Sequence, residues 1–70
     1  MQNPTLDELQ LLIRMEYDEM HDLKLTLSQA RRLWGVPLDL CDAALGMLVN
    51  AGFLFRTRDG SFLRRHSPLF

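Results

Sequence analysis

The stretch from Thr26 to Arg65 places the tightest limits on how this 70-residue chain can fold. Thr26-Leu27-Ser28-Gln29 fits a capping box, in which the threonine hydroxyl accepts from the amide three residues on and the glutamine reaches back. It opens a short helix that runs to about Trp34. Gly35 suits the left-handed residue after a helix, and Pro37 cannot continue that helix but tolerates the start of another. The next helix runs from about Leu38 to Ala51, with Cys41, Ala44, Leu45 and Leu48 on one face, and Gly52 ends it. Phe53 to Thr57 and Ser61 to Arg65 read as two strands joined at Asp59-Gly60, a pair that favours a two-residue type I′ hairpin. In that register Thr57 faces Phe62 and Arg56 faces Leu63.

A further helix precedes this run. Thr5 can cap it, with Asp7 and Glu8 well placed in its first turn. Leu6, Leu9, Ile13, Tyr17 and Met20 recur at three- and four-residue spacing, so one stripe faces a core. Leu11 and Met15 form a weaker stripe toward the opposite side. His21-Asp22 ends the helix, and Leu23, Leu25 and Leu27 alternate with Lys24 and Thr26 as a short bridging strand. The expected core is Leu9, Ile13, Tyr17, Leu25, Leu27, Ala30, Trp34, Cys41, Leu45, Leu48 and Leu54. The tail from His66 to Phe70 is expected to fray or to dock its apolar end locally.

The residues from Leu25 to Val36 (LTLSQARRLWGV), then Cys41 to Gly52, Phe53-Leu54 and Thr57-Arg58-Asp59-Gly60, resemble the small bacterial winged helix-turn-helix proteins. With the first helix included, the resemblance covers nearly the whole chain. It implies an α+β, mostly α fold of order α1-β1-α2-α3-β2-β3, a three-helix core with a C-terminal β-hairpin wing. One domain over 1–70 is expected, with the helix-turn-helix at about 26–51 and the wing at about 53–65. The family implies DNA binding and commonly transcriptional control, and it also contains members that bind only proteins.

Composition narrows the class. At 47% hydrophobic and 24% charged the chain reads as globular rather than disordered. No apolar run approaches the roughly 20 residues that span a bilayer. Met1-Gln2-Asn3-Pro4 shows no basic start of a secretory signal, and a lone Cys41 fits a reducing compartment, so a cytoplasmic location is expected. The net charge of −1 hides a gradient. Residues 1–24 set six acids against Arg14 and Lys24, whereas residues 53–70 set Arg56, Arg58, Arg64 and Arg65 against Asp59. Such a chain can turn its basic end to phosphate.

The first functional reading is duplex DNA binding by a small transcriptional regulator. Arg56, Arg58, Arg64 and Arg65 on the wing would meet phosphates, Arg31 and Arg32 on the second helix would clasp the backbone, and Asn50 could reach an adenine edge. Two features cut against it. The position four residues before the turn glycine, usually Ala or Gly, is Arg31, so either the two helices pack loosely or Arg31 points outward. The outer face of the third helix carries Asp39, Asp42, Ala43, Gly46, Met47 and Asn50, without a cation. The second reading is therefore a homodimer or protein-interaction module. Its contacts would be Ala43, Gly46 and Met47, the Leu11/Met15 stripe, and an aromatic surface of Phe55 and Phe62.

Catalysis is not expected. Asp18, Glu19, His21 and Asp22 cluster without the ligand set of a zinc site and read as a solvated helix end. Cys41 lies on the apolar face of its helix with no local base, as a small core residue does. Tyr17 and Trp34 fall where helix packing wants bulk. No metal, cofactor or small-molecule substrate is expected.

Overall fold

Two threonines fix where the first helices begin. The computed structural model describes residues 3–65, so the tail 66–70 lies outside the described residues. Helix α1 (Leu6–Glu19) starts at Thr5, whose hydroxyl accepts from the Glu8 amide at 3.1 Å while the Glu8 carboxylate accepts from the Thr5 amide at 2.8 Å. Strand β1 (Lys24–Thr26) runs straight into helix α2 (Leu27–Trp34), because Thr26 ends the strand and caps the helix in a second box with Gln29. Each such cap is worth about 1 kcal/mol. Gly35 leaves α2 at φ 63, and helix α3 (Leu38–Asn50) follows. The two helices meet at 112°, inside the range of about 90–120° that a helix-turn-helix adopts. Strands β2 (Leu54–Arg56) and β3 (Ser61–Arg64) complete an antiparallel sheet of order β1-β3-β2. The fold is α+β in a winged-helix layout.

Helix α3 lies at the centre, with α1 and α2 against its sides and β2 at its end. Its Cys41, Ala44, Leu45 and Leu48 meet Leu9, Ile13 and Tyr17 of α1, Ala30 of α2, Val36 of the turn, and Leu54 and Phe62 of the sheet. Leu25, Leu27 and Trp34, expected inside, pack on this core from its edge and stay half-buried. A core this small has few enclosed places, and Val36, Ala44 and Phe62 take three of them. Met20 is exposed as well, because the chain leaves helical geometry there at φ −126. Arg31 points to solvent, and the neighbouring Ala30 supplies the small side chain where the helices touch.

The hairpin differs from the expected register by one residue. Leu54 pairs with Arg64, Phe55 with Leu63 and Arg56 with Phe62. The loop holds three residues: the Gly60 amide donates to the Thr57 carbonyl at 3.1 Å, and the Thr57 amide to the Ser61 carbonyl at 2.8 Å. Gly60 takes φ 85, as the last residue of such a loop requires. The Thr57 hydroxyl binds the Asp59 carboxylate and also receives the Ser61 amide at 3.0 Å. A slip of one residue turns every side chain over. Phe62, expected on the surface with Phe55, is instead 3% exposed in the core, while Phe55 and Leu63 lie on the outer face.

Tyr17 ties α1 to this strand. Its hydroxyl donates to the Phe62 carbonyl at 2.8 Å in a buried position. Burial, and next the neighbouring Cys41, pushes the Tyr17 hydroxyl from 10.0 up to about 12. Tyr17→Phe should lower stability by about 1–2 kcal/mol in urea titrations, since the carbonyl loses its buried donor. Because the folded value lies above the unfolded one, Tyr17's contribution is whole below pH 10 and is lost as pH climbs toward 12. The Phe variant should lack that part of the alkaline decline. Gly60→Ala, at an open site, should cost about 1–2 kcal/mol from backbone strain alone.

Candidate nucleic-acid interface

The register of the hairpin decides which arginines are free. Arg56 and Arg64 share the sheet face of Phe62, so both lie beside the rim of the core. The Arg56 guanidinium sits 5.7 Å from the Phe62 ring centre. Arg64 is held more firmly: it pairs with Asp18 at 3.2 Å and stacks on Phe53 at 5.1 Å. Its Nε is buried without a partner. Arg14 approaches the same Phe53 ring at 4.5 Å. Two of the four wing arginines are thus engaged within the protein.

Arg31, Arg32, Lys24 and Arg58 follow one edge, while Arg65 stands at the base of the ribbon beside Phe53. Arg31 and Arg32 line an open hollow of about 640 Å³ at the α2–α3 turn, together with Asn3, Gly35, Val36 and Pro37. Arg32 also borders a second hollow of about 460 Å³ with Lys24, Leu25, Gln29 and Leu33. Lys24 then reaches the wing tip through an ion pair with Asp59 at 3.5 Å, and Arg58 is the next residue. The Thr57 hydroxyl, and after it Lys24 and the Ser61 amide, hold the Asp59 carboxyl below its usual 3.8. Lys24 therefore adds little net charge, and its pairing tethers the loop that carries Arg58 to the strand leading into α2. Among the described residues Arg31, Arg32, Arg58 and Arg65 form no ion pair. Arg31 and Arg32 also stand in the last turn of α2, where cations favour a helix end.

Helix α3 offers something different. Leu38, Asp39, Asp42, Ala43, Met47 and Asn50 are exposed on it, and Gly46 is half-buried. Asp39 is partly occupied, since its carboxylate accepts from the Leu40 amide at 2.9 Å. Asn50 is the last residue of the helix. The Gln10 amide of α1 reaches the Met47 sulfur at 3.5 Å. The expected grouping thus divides: Arg31, Arg32 and Arg58 come together through Lys24, whereas Arg56, Arg64 and Asn50 lie elsewhere. Lys24 had no sequence signal beyond its charge, because its place depends on the wing folding back over β1.

Cys41, the one cysteine, is buried. Burial, then Asp42, raises the Cys41 thiol above its usual 9.0, against a smaller opposite pull from Arg31. Such a thiol stays protonated at neutral pH and is a poor nucleophile. Among the described residues no three of His, Cys, Asp and Glu gather to hold a metal ion, and no single helix is long and apolar enough to cross a membrane. The chain matches no protein-family model, no curated protein and no solved structure.

Stability measurements separate the two kinds of arginine. Arg64→Ala should destabilise the fold by about 1–2 kcal/mol, through loss of the Phe53 stack and the partly buried Asp18 pair. Arg58→Ala and Arg32→Ala should stay within about 0.5 kcal/mol of the parent. Urea midpoints of the three variants give the comparison.

Proposed function

We propose that this chain binds duplex DNA through its phosphate backbone, using the edge that runs from Arg31 and Arg32 past Lys24 to Arg58. The observation that carries this reading is that Arg32 lines two hollows, one shared with Arg31 and the other with Lys24, and that Arg58 adjoins the Lys24–Asp59 pair. Phosphate contacts require free cations along an open surface, and they position a protein without reading sequence. Helix α3, with Asp39 and Asp42 outward and no cation, is not the element that grips the duplex. The role consistent with this is a small bacterial regulator in the cytoplasm. Its base preference would come from a second copy or from a partner, since a single module of this size covers only about 600–1,000 Å².

The test is a titration of the full chain into a labelled random-sequence duplex at about 50 and 200 mM salt, with amide NMR shifts followed. Three phosphate contacts imply affinity falling about 40-fold between those salts. Arg32→Ala and Arg58→Ala should each reduce the slope of log affinity against log salt by about 1, with no effect on base preference. Asp42→Ala should leave binding unchanged or strengthen it. The reading fails if no complex forms at the lower salt, or if shifts centre on α3 while both arginine variants bind like the parent.

A further inference from the structure

Helix α1 carries a second apolar face that no other element covers among the described residues. Leu9, Ile13 and Tyr17 are buried, while Leu11, Leu12 and Met15 remain 61%, 43% and 58% exposed. Single exposed leucines are ordinary on a protein surface, but neighbours on one face form a patch. Positions 8, 11, 12, 15 and 19 are linked by three- and four-residue spacings (8 to 11 and 12, both of these to 15, and 15 to 19), so they line one side of the helix over about 16 Å. The outer positions are Glu8 and Glu19, both exposed. Beside Leu11 lies a shallow hollow of about 330 Å³, bordered by Asp7, Gln10 and Arg14. The Arg14 guanidinium is drawn toward the Phe53 ring at 4.5 Å, which leaves acids at both ends of the face.

Charge selects among the possible occupants. A second copy laid on this face in parallel would set Glu8 against Glu8, and in antiparallel would set Glu8 against Glu19. Either arrangement places like charges at both ends of a small contact, which disfavours it. Anionic lipid headgroups meet the same repulsion. A helix with apolar anchors at three- and four-residue spacing and Lys or Arg at its flanks satisfies every part of the face at once. We propose that α1 docks a basic amphipathic helix of another protein, with its anchors on Leu11, Leu12 and Met15 and its flanking cations at Glu8 and Glu19. This surface lies on a different element from the phosphate-binding edge and does not depend on it.

Three synthetic helical peptides of about 18 residues test the proposal, a length that spans the face with margin for fraying. One has leucines at the stated spacing with Lys/Arg flanks, one has the same leucines with Glu flanks, and one has the basic composition scrambled. Each is titrated into the isotope-labelled full chain. The basic peptide should shift the amides of residues 8–19, and the Glu-flanked one should bind about tenfold more weakly. Glu19→Lys, which leaves the Thr5–Glu8 cap of α1 intact, should remove most of that preference. Leu11→Ser with Met15→Ser should abolish binding while the dispersed spectrum persists, because neither side chain contributes to the core. Equal binding of the scrambled peptide, or shifts located elsewhere, would overturn the proposal. So would a concentration-dependent dimer in sedimentation that the serine variant dissolves, since a second copy would then own the face.

Discussion

The hydrogen bond from the Tyr17 hydroxyl to the Phe62 carbonyl joins the first helix to the middle strand of the sheet across 45 residues of chain. Strand β3 is the one on which both β1 and β2 pair, so fixing it fixes the sheet. The contact continues along both elements: Asp18 follows Tyr17, and Arg64 lies two beyond Phe62 on the same sheet face. A buried hydroxyl and a half-buried ion pair therefore clamp the wing at neighbouring points. The Arg65 amide extends the ladder by donating to the Phe53 carbonyl at 2.8 Å, which secures the base of the ribbon.

From that clamp follows the division of the wing's charge. Residues 56, 62 and 64 face one way because strand side chains alternate, so whichever face takes Phe62 into the core also brings Arg56 and Arg64 to its rim. There the guanidinium groups find aromatic rings. Arg58 escapes because it sits in the loop. Arg56, Arg58 and Arg64, close together in sequence, thus differ in circumstance because strand parity places two of them and the loop the third.

Much of the fold was legible because its determinants are local. Thr5 and Thr26 act within three residues of their partners, and Gly35 answers to the backbone at one position. The hairpin was not legible to the same degree. Asp59-Gly60 supports either a two- or a three-residue loop, and the choice rests on whether Phe62 or Leu63 fills space beside Leu54, a decision made by α1 and α3. Leu25, Leu27 and Trp34 are apolar enough for a core, yet their periodicity does not reveal how few enclosed places α3 leaves. For the candidate interface, Arg31 and Arg32 were readable from the helix end. The capture of Arg64 and the tethering by Lys24 were hidden, since both require the folded wing. Leu12 fell between the two stripes of α1, and its exposure became evident only once α3 and the sheet had chosen their side of the helix.

The separation of charge along this molecule acts at distances far longer than any contact. The acids of α1 and the free cations at Arg31, Arg32 and Arg58 stand on different elements of a chain whose net charge is only −1. In the field of a polyanion, a dipole feels torque before it feels net attraction. On the proposed phosphate-binding reading, the chain would be turned basic edge first during its approach, within roughly 10 Å at 0.1 M salt, where screening still permits it. Orientation would then be sorted during diffusion instead of by trial collisions.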